Sequence, residues 1–310
     1  MSLRQLTVVP VPGTGTEDVV VATHGPDQGS VFTGTEDGAI WRVSPDGARV
    51  ERVATIAGRP MGIEVDADGR LVVCVADSGL VRVDPGSGSV ETVLEGSAGL
   101  PIVMCNNAAI AGDGTIWFSD SSAVHPLARW RSDIAEATCT GRLLRLDPDG
   151  TVTVVLEGLD FANGVVLAAD GSYVAVAESG ACTVVRQWLT GERAGTRDLL
   201  VPELPGYPDN LSRGSDGLLW VAVASPRVAL AERVRRGPQW LRRTATRVPD
   251  RLQPRPGRVV RVQAYDDAGS LVHDLDLPAD DFWFVTGVRE HEGRVWMGSL
   301  LQPAIAFLTL

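Results

Sequence analysis

The chain has 310 residues, 44% of them hydrophobic, with a formal net charge of −11 and a pI near 4.9. That acidity argues against a general nucleic-acid or anionic-membrane binder. No lysine occurs, so lysine Schiff-base and lysine general-base chemistry are excluded.

The four cysteines, Cys74, Cys105, Cys139 and Cys182, match no zinc or redox spacing, as expected of reduced thiols in an intracellular protein. The first residues, Met1-Ser2-Leu3-Arg4-Gln5-Leu6, lack the apolar core of a signal peptide. No run approaches transmembrane length. A cytoplasmic protein with no membrane span is expected.

Short Val-rich runs separated by Asp-Gly turns dominate the chain, the pattern of an all-β fold. In chain order, an apolar run at 6–11 precedes a first unit beginning near Glu17. A second begins near Met61 and reads as strands 61–65, 70–75, 80–84 and 90–94. A third begins near Asn106 and contains a helical insertion at 123–137. A fourth begins near Asn163, with strands 165–168, 173–178 and 182–188. A fifth begins near Asp209 and contains a second insertion at 227–251. The sixth, near Thr286, holds only three strands, at 285–288, 294–298 and 304–308. Repeats of about 40–50 residues suit four-stranded propeller blades. The predicted fold is a six-bladed β-propeller forming one domain over 1–310, with run 6–11 completing the last blade and protecting the sheet edges.

The insertion at 227–251 is rich in arginine, with Val228, Leu230, Val234, Trp240 and Leu241 interspersed. It fits an amphipathic segment facing a membrane or partner. It also fits a helix capping the channel, its arginines in water or paired with acidic blades. The acidity of the chain favours the cap.

Innermost strands line the axial channel of a propeller, so residues at equivalent strand starts meet in space. Glu17, Asn106, Asn163 and Asp209 hold such positions, and all four are oxygen donors. Taken singly each also suits a turn or solvent-facing role. Together they form the donor set of a hard cation such as Ca²⁺. No His or Cys shares the positions, which argues against zinc and copper.

Several motifs spread along the chain carry a family resemblance. They include Gly15-Thr16-Glu17-Asp18, Gly58-Arg59-Pro60-Met61-Gly62-Ile63, Phe118-Ser119-Asp120-Ser121-Ser122 and Phe161-Ala162-Asn163-Gly164-Val165. Leu204-Pro205-Gly206-Tyr207-Pro208-Asp209-Asn210 and Glu290-His291-Glu292-Gly293 continue the series. With these the chain resembles the strictosidine synthase-like branch of the gluconolactonase/senescence-marker-protein superfamily, near the adipocyte plasma membrane-associated proteins. The resemblance implies a six-bladed propeller with Ca²⁺ held by Glu17, Asn106, Asn163 and Asp209, and lactone or ester hydrolysis in many members.

Three positions depart from relatives. Asn107 stands where an Asp usually follows the third-blade Asn. Met61 stands where paraoxonase-type lactonases carry a catalytic His. Thr286 stands where strictosidine synthases carry a Glu. The base expected for hydrolysis is therefore Asp209, with Asn107 donating a hydrogen bond to substrate. The expected pocket wall comprises Met61, Met104, Cys105, Phe161, Tyr207, Trp283 and Phe284, with His125 on a rim insertion. So apolar a wall suits a hydrophobic small-molecule lactone or ester. The alternatives are a metabolite-tailoring cyclase or lyase, or a propeller that binds a ligand without turnover. Oligomeric state is not legible.

Overall fold

Alternating Val-rich runs and Asp-Gly turns fold into six four-stranded antiparallel sheets arranged as blades of one ring. The computed structural model describes residues 6–96, 100–248 and 256–310. The first five blades span 19–55, 60–95, 105–159, 162–201 and 206–277. The sixth joins strands Val285–His291, Arg294–Ser299 and Ala304–Thr309 to the N-terminal strand Thr7–Pro10. Thr7 pairs with Phe307 and Pro10 with Ala304, so the two ends of the chain close the ring as predicted.

The core lies between adjacent blades. Trp220, Tyr173, Phe32, Phe118 and Phe282 are fully buried there, each contributing roughly 1.5–3 kcal/mol of burial free energy. Tight turns at the Asp-Gly corners place glycine at positive φ, as at Gly69 and Gly171.

One irregularity recurs and positions the site. Innermost strands shift register between Pro60 and Ile63, Cys105 and Ala108, Ala162 and Val165, Pro208 and Leu211, and Val285 and Val288. Each β-bulge encloses two consecutive residues at the same point of its blade. The first member is Met61, Asn106, Asn163, Asp209 or Thr286. The second alternates between glycine and a polar residue. Gly62, Gly164 and Gly287 alternate with Asn107 and Asn210, and Asp18 completes the series beside Glu17.

The alternation has a steric cause. A Cβ on Gly62 would lie 2.7 Å from the Asn107 Cα, and one on Gly287 would lie 2.7 Å from the Asp18 Cα. A Cβ on Gly164 would come within 2.1 Å of the Leu211 nitrogen. Glycine on one blade thus makes room for the polar residue of its neighbour.

The two insertions fall in the third and fifth blades, as predicted. The first is a 3₁₀ turn, Leu127–Arg129, followed by α1 (Trp130–Glu136). The second holds α2 (Ala229–Arg235) and α3 (Gln239–Ala245). Positions 249–251 of the predicted second insertion lie outside the described residues. No helix among the described residues is long and apolar enough to cross a membrane.

Candidate metal ring and apolar pocket

The bulges deliver the predicted oxygen donors to one end of the channel. Glu17, Asn106, Asn163 and Asp209 all line a single cavity of about 330 Å³. Glu17, Asn106 and Asn163 are buried, and Asp209 is half-buried at the cavity floor.

Three of the four donors are oriented by a neighbour. Asn106 Nδ2 donates to Ser121 Oγ at 2.9 Å, and Asn163 Nδ2 donates to Ser179 Oγ at 3.1 Å. Asn210 Nδ2 donates to Glu17 Oε1 at 3.0 Å. These bonds fix the side chains and leave the opposite oxygens over. Glu17 Oε2, Asn106 Oδ1 and Asn163 Oδ1 are buried without a hydrogen-bond partner. A buried unpaired oxygen costs on the order of 1–3 kcal/mol. Three of them line one cavity, a donor set whose chemistry fits a hard cation.

Electrostatics agree. Burial, then the charges of Asp18 and Asp209, push the Glu17 carboxyl well above its ordinary range, against the pull of Asn210 and Arg59. Burial also pushes Asp209 up to about 7; the Asn163 amide opposes this and Asp18 reinforces it. Two carboxylates held close in low dielectric resist ionising together unless a positive charge joins them. Among the described residues no three His, Cys, Asp or Glu cluster as a metal site. The ring here is two carboxylates and two amides, an all-oxygen set suited to calcium.

The other predicted residues divide. Met61, Phe161, Tyr207 and Phe284 line the cavity as expected. Met104, Cys105, Trp283 and His125 do not. Met104 is fully buried in the framework; its N–H is held by Asp120 Oδ1 at 2.7 Å. Cys105 packs in the core between the second and third blades. Trp283 lies under the Arg258 guanidinium, 4.9 Å from its ring centroid, while a positive φ at Phe284 carries the chain onward to the pocket wall. His125 is buried beneath the first insertion, its Nε2 3.5 Å from Glu136 Oε2.

Asn107 is also corrected. It lines no part of the cavity, because its amide is turned to Asp18 and to the fourth blade. Its Nδ2 donates to Asp18 Oδ2 at 3.3 Å, and its Oδ1 accepts from the Val165 N–H at 2.8 Å. Both ends of the amide tie blades together, and the side chain is buried away from the cavity that a substrate would enter. Thr286 is likewise used inwardly, its hydroxyl donating to the Glu17 carbonyl at 2.6 Å.

Sequence reasoning missed Ser121, Ser179 and Asn210, which aim the ring donors. A signal existed. Ser121, Ser179, Ser225 and Ser299 recur within one residue of the end of the second strand in four blades. It also missed the strain at Phe161 and Phe284, whose φ values are 63° and 60°. Each stands two residues before the first residue of a bulge, Asn163 or Thr286, and such backbone costs on the order of 1–3 kcal/mol.

The insertions roof the cavity. Leu127, Trp130, Ile134, Val228, Ala231 and Val234 make its upper wall. Tyr207 Oη donates to Glu232 Oε1 at 2.8 Å, tying α2 to the strand that carries Asp209. Arg235 binds Asp160 and the Ile134 carbonyl. Arg242 Nη1 donates to the Glu136 carbonyl at 2.8 Å, joining α3 to α1.

The closed ring, the axial oxygen donors and the roofed pocket define a six-bladed propeller with a covered axial cavity. The chain belongs to the SMP-30/Gluconolactonase/LRE-like family, which it matches over residues 24–236. It is 32% identical over 267 residues to strictosidine synthase-like protein 10 of Arabidopsis thaliana, covering 82% of this chain and 70% of that one. It is 30% identical over 309 residues to the adipocyte plasma membrane-associated protein of Salmo salar, covering 90% and 73%. Its fold superimposes on a gluconolactonase from Xanthomonas campestris with a TM-score of 0.71 at 18% identity, over 99% of this chain and 90% of the other.

Proposed function

We propose that this protein is a calcium-dependent hydrolase of a lactone or ester with a largely hydrophobic body. The observation that carries the proposal is the set of three buried, unpartnered oxygens on Glu17, Asn106 and Asn163, which line one apolar cavity together with Asp209. Those four residues would hold the ion. When bound, calcium supplies a positive centre that polarises a carbonyl and favours the developing oxyanion.

The protein's own groups do the rest. Asp209 orients the attacking water from the cavity floor and takes its proton. Asn210 and the two serines keep the ring donors aimed. Met61, Phe161 and Phe284 with the roof of α1 and α2 hold an apolar substrate and exclude bulk water. The gluconolactonase whose fold matches is named for lactone chemistry, which supports hydrolysis. The strictosidine synthase-like relatives keep condensation as the second reading. The Thr286 hydroxyl, spent on the Glu17 carbonyl, offers no base in the last blade for an amine.

The deciding experiment is turnover of a panel of lactones and aryl esters, with and without chelator, alongside metal analysis. Activity abolished by chelation and by Asp209→Ala supports the proposal. Hydrolysis indifferent to both defeats it.

A further inference from the structure

The net charge of −11 is an average over the whole chain, and the roof departs from it. Between 227 and 248 stand seven arginines and a single acidic residue, Glu232, whose carboxylate is occupied by Tyr207. Three of the arginines are internal fasteners: Arg227 near Glu203, Arg235 on Asp160 and Arg242 on the Glu136 carbonyl. The other four, Arg233, Arg236, Arg243 and Arg247, are exposed and have no ion-pair partner among the described residues. Arg129 adds another exposed guanidinium beside α1.

Large apolar side chains are exposed on the same segment. Trp240 is 69% exposed and Leu230 is 58% exposed, the two highest values among the described large hydrophobics. Trp240 and Arg243 are three residues apart and share a face of α3. Leu230 also lines the cavity, so this surface borders the pocket mouth. Unpaired cations around an exposed Trp and Leu suit a negatively charged surface with an apolar interior beneath it.

We propose that the roof formed by α2 and α3 docks on an anionic lipid bilayer. Arg233, Arg236, Arg243 and Arg247 meet the head groups, and Trp240 and Leu230 enter the interface. Docking would present the cavity mouth to apolar molecules dissolved in the membrane. The proposal concerns binding alone and stands or falls apart from the hydrolase reading.

The test is co-sedimentation of the full chain with phosphatidylcholine vesicles, with and without phosphatidylglycerol. The expected result is pelleting with anionic vesicles only, lost at high salt. Replacing four arginines together (R233Q, R236Q, R243Q and R247Q) should weaken binding by about a hundredfold or more. Trp240→Ser should weaken it severalfold and remove a blue shift of tryptophan emission on binding. None of these side chains touches the metal ring, and unchanged thermal melting confirms folding. Pelleting that ignores lipid charge, no pelleting with either vesicle, or full binding by the quadruple variant overturns the proposal. So does tighter binding of polyglutamate than of anionic vesicles, which would assign the surface to an acidic protein.

Discussion

Glu17→Gln separates a built cation site from an accident of packing. In the wild type, Glu17 and Asp209 are carboxylates whose protons burial holds on, and three ring oxygens lack partners. A ligand that binds only the folded state at a hundred times its Kd stabilises that state by about 2.7 kcal/mol. For a chain of this size that is roughly 2 °C per kcal/mol, so saturating calcium should raise Tm by about 5 °C. Gln keeps an oxygen for the Asn210 amide and removes the ionisable carboxyl that a cation would need. Calcium-free Glu17→Gln should therefore melt at or above the calcium-free wild type, and its calcium shift should vanish. Differential scanning calorimetry with chelator and with excess calcium reads both effects. A shift of equal size in wild type and variant refutes the reasoning, as does a calcium-free variant several degrees less stable.

Four other perturbations test the framework. Gly164→Ala sets a Cβ 2.1 Å from the Leu211 nitrogen and 2.5 Å from the Asn210 carbonyl carbon; urea denaturation should show a loss of about 2–4 kcal/mol. Gly112→Ala, where a Cβ meets nothing within 4 Å, should stay within about 0.5 kcal/mol of wild type. Asn107→Ala removes two buried hydrogen bonds and should cost about 2–4 kcal/mol while keeping the calcium shift; a fully stable variant that lost turnover would return Asn107 to the substrate. Asp198 is held down at about 2, chiefly by hydrogen bonds from Arg186 and then Arg193. Its folded pKa is depressed, so its contribution is present above the unfolded value near 4 and is lost as pH falls toward 2. After solvent screening Asp198→Asn should cost about 1 kcal/mol at pH 7 and almost nothing near pH 2; a pH-independent difference would be inconsistent with this origin.

Much of this was legible because strand and turn chemistry is local. The second-blade runs read as 61–65 and 90–94 are observed as Pro60–Val65 and Val90–Glu95. The ring positions were legible because the repeat places equivalent residues together. The wall was less legible. Simple strand alternation does not say which of two bulged neighbours faces the pocket, so Asn107 was read as facing substrate when it faces Asp18 and the fourth blade. The alternation of Gly62, Gly164 and Gly287 with Asp18, Asn107 and Asn210 carried that information. The Phe282-Trp283-Phe284 cluster resisted for a different reason. Its three rings go to the core, to Arg258 and to the cavity, a division set by the positive φ at Phe284 that residue type alone does not announce.

The roof and the ring are mechanically joined, and under the proposed hydrolase activity that bears on how the site would select a substrate. Asn163 lies three residues after Asp160, which Arg235 of α2 grips. Asp209 lies two residues after Tyr207, whose hydroxyl is bonded to Glu232 on the same helix. One short helix therefore holds the chain leading to two of the four candidate ligands. Between the paired points stand Phe161, on strained backbone, and Pro208, whose ring fixes φ. Little slack separates a displacement of α2 from a displacement of the ring oxygens. A substrate that fits between α2 and Phe161 leaves Asn163 where Ser179 holds it and Asp209 undisturbed. One too bulky for the roof must lift α2 and disturb Asn163 and Asp209 together, so poor fit should appear in turnover as well as in binding.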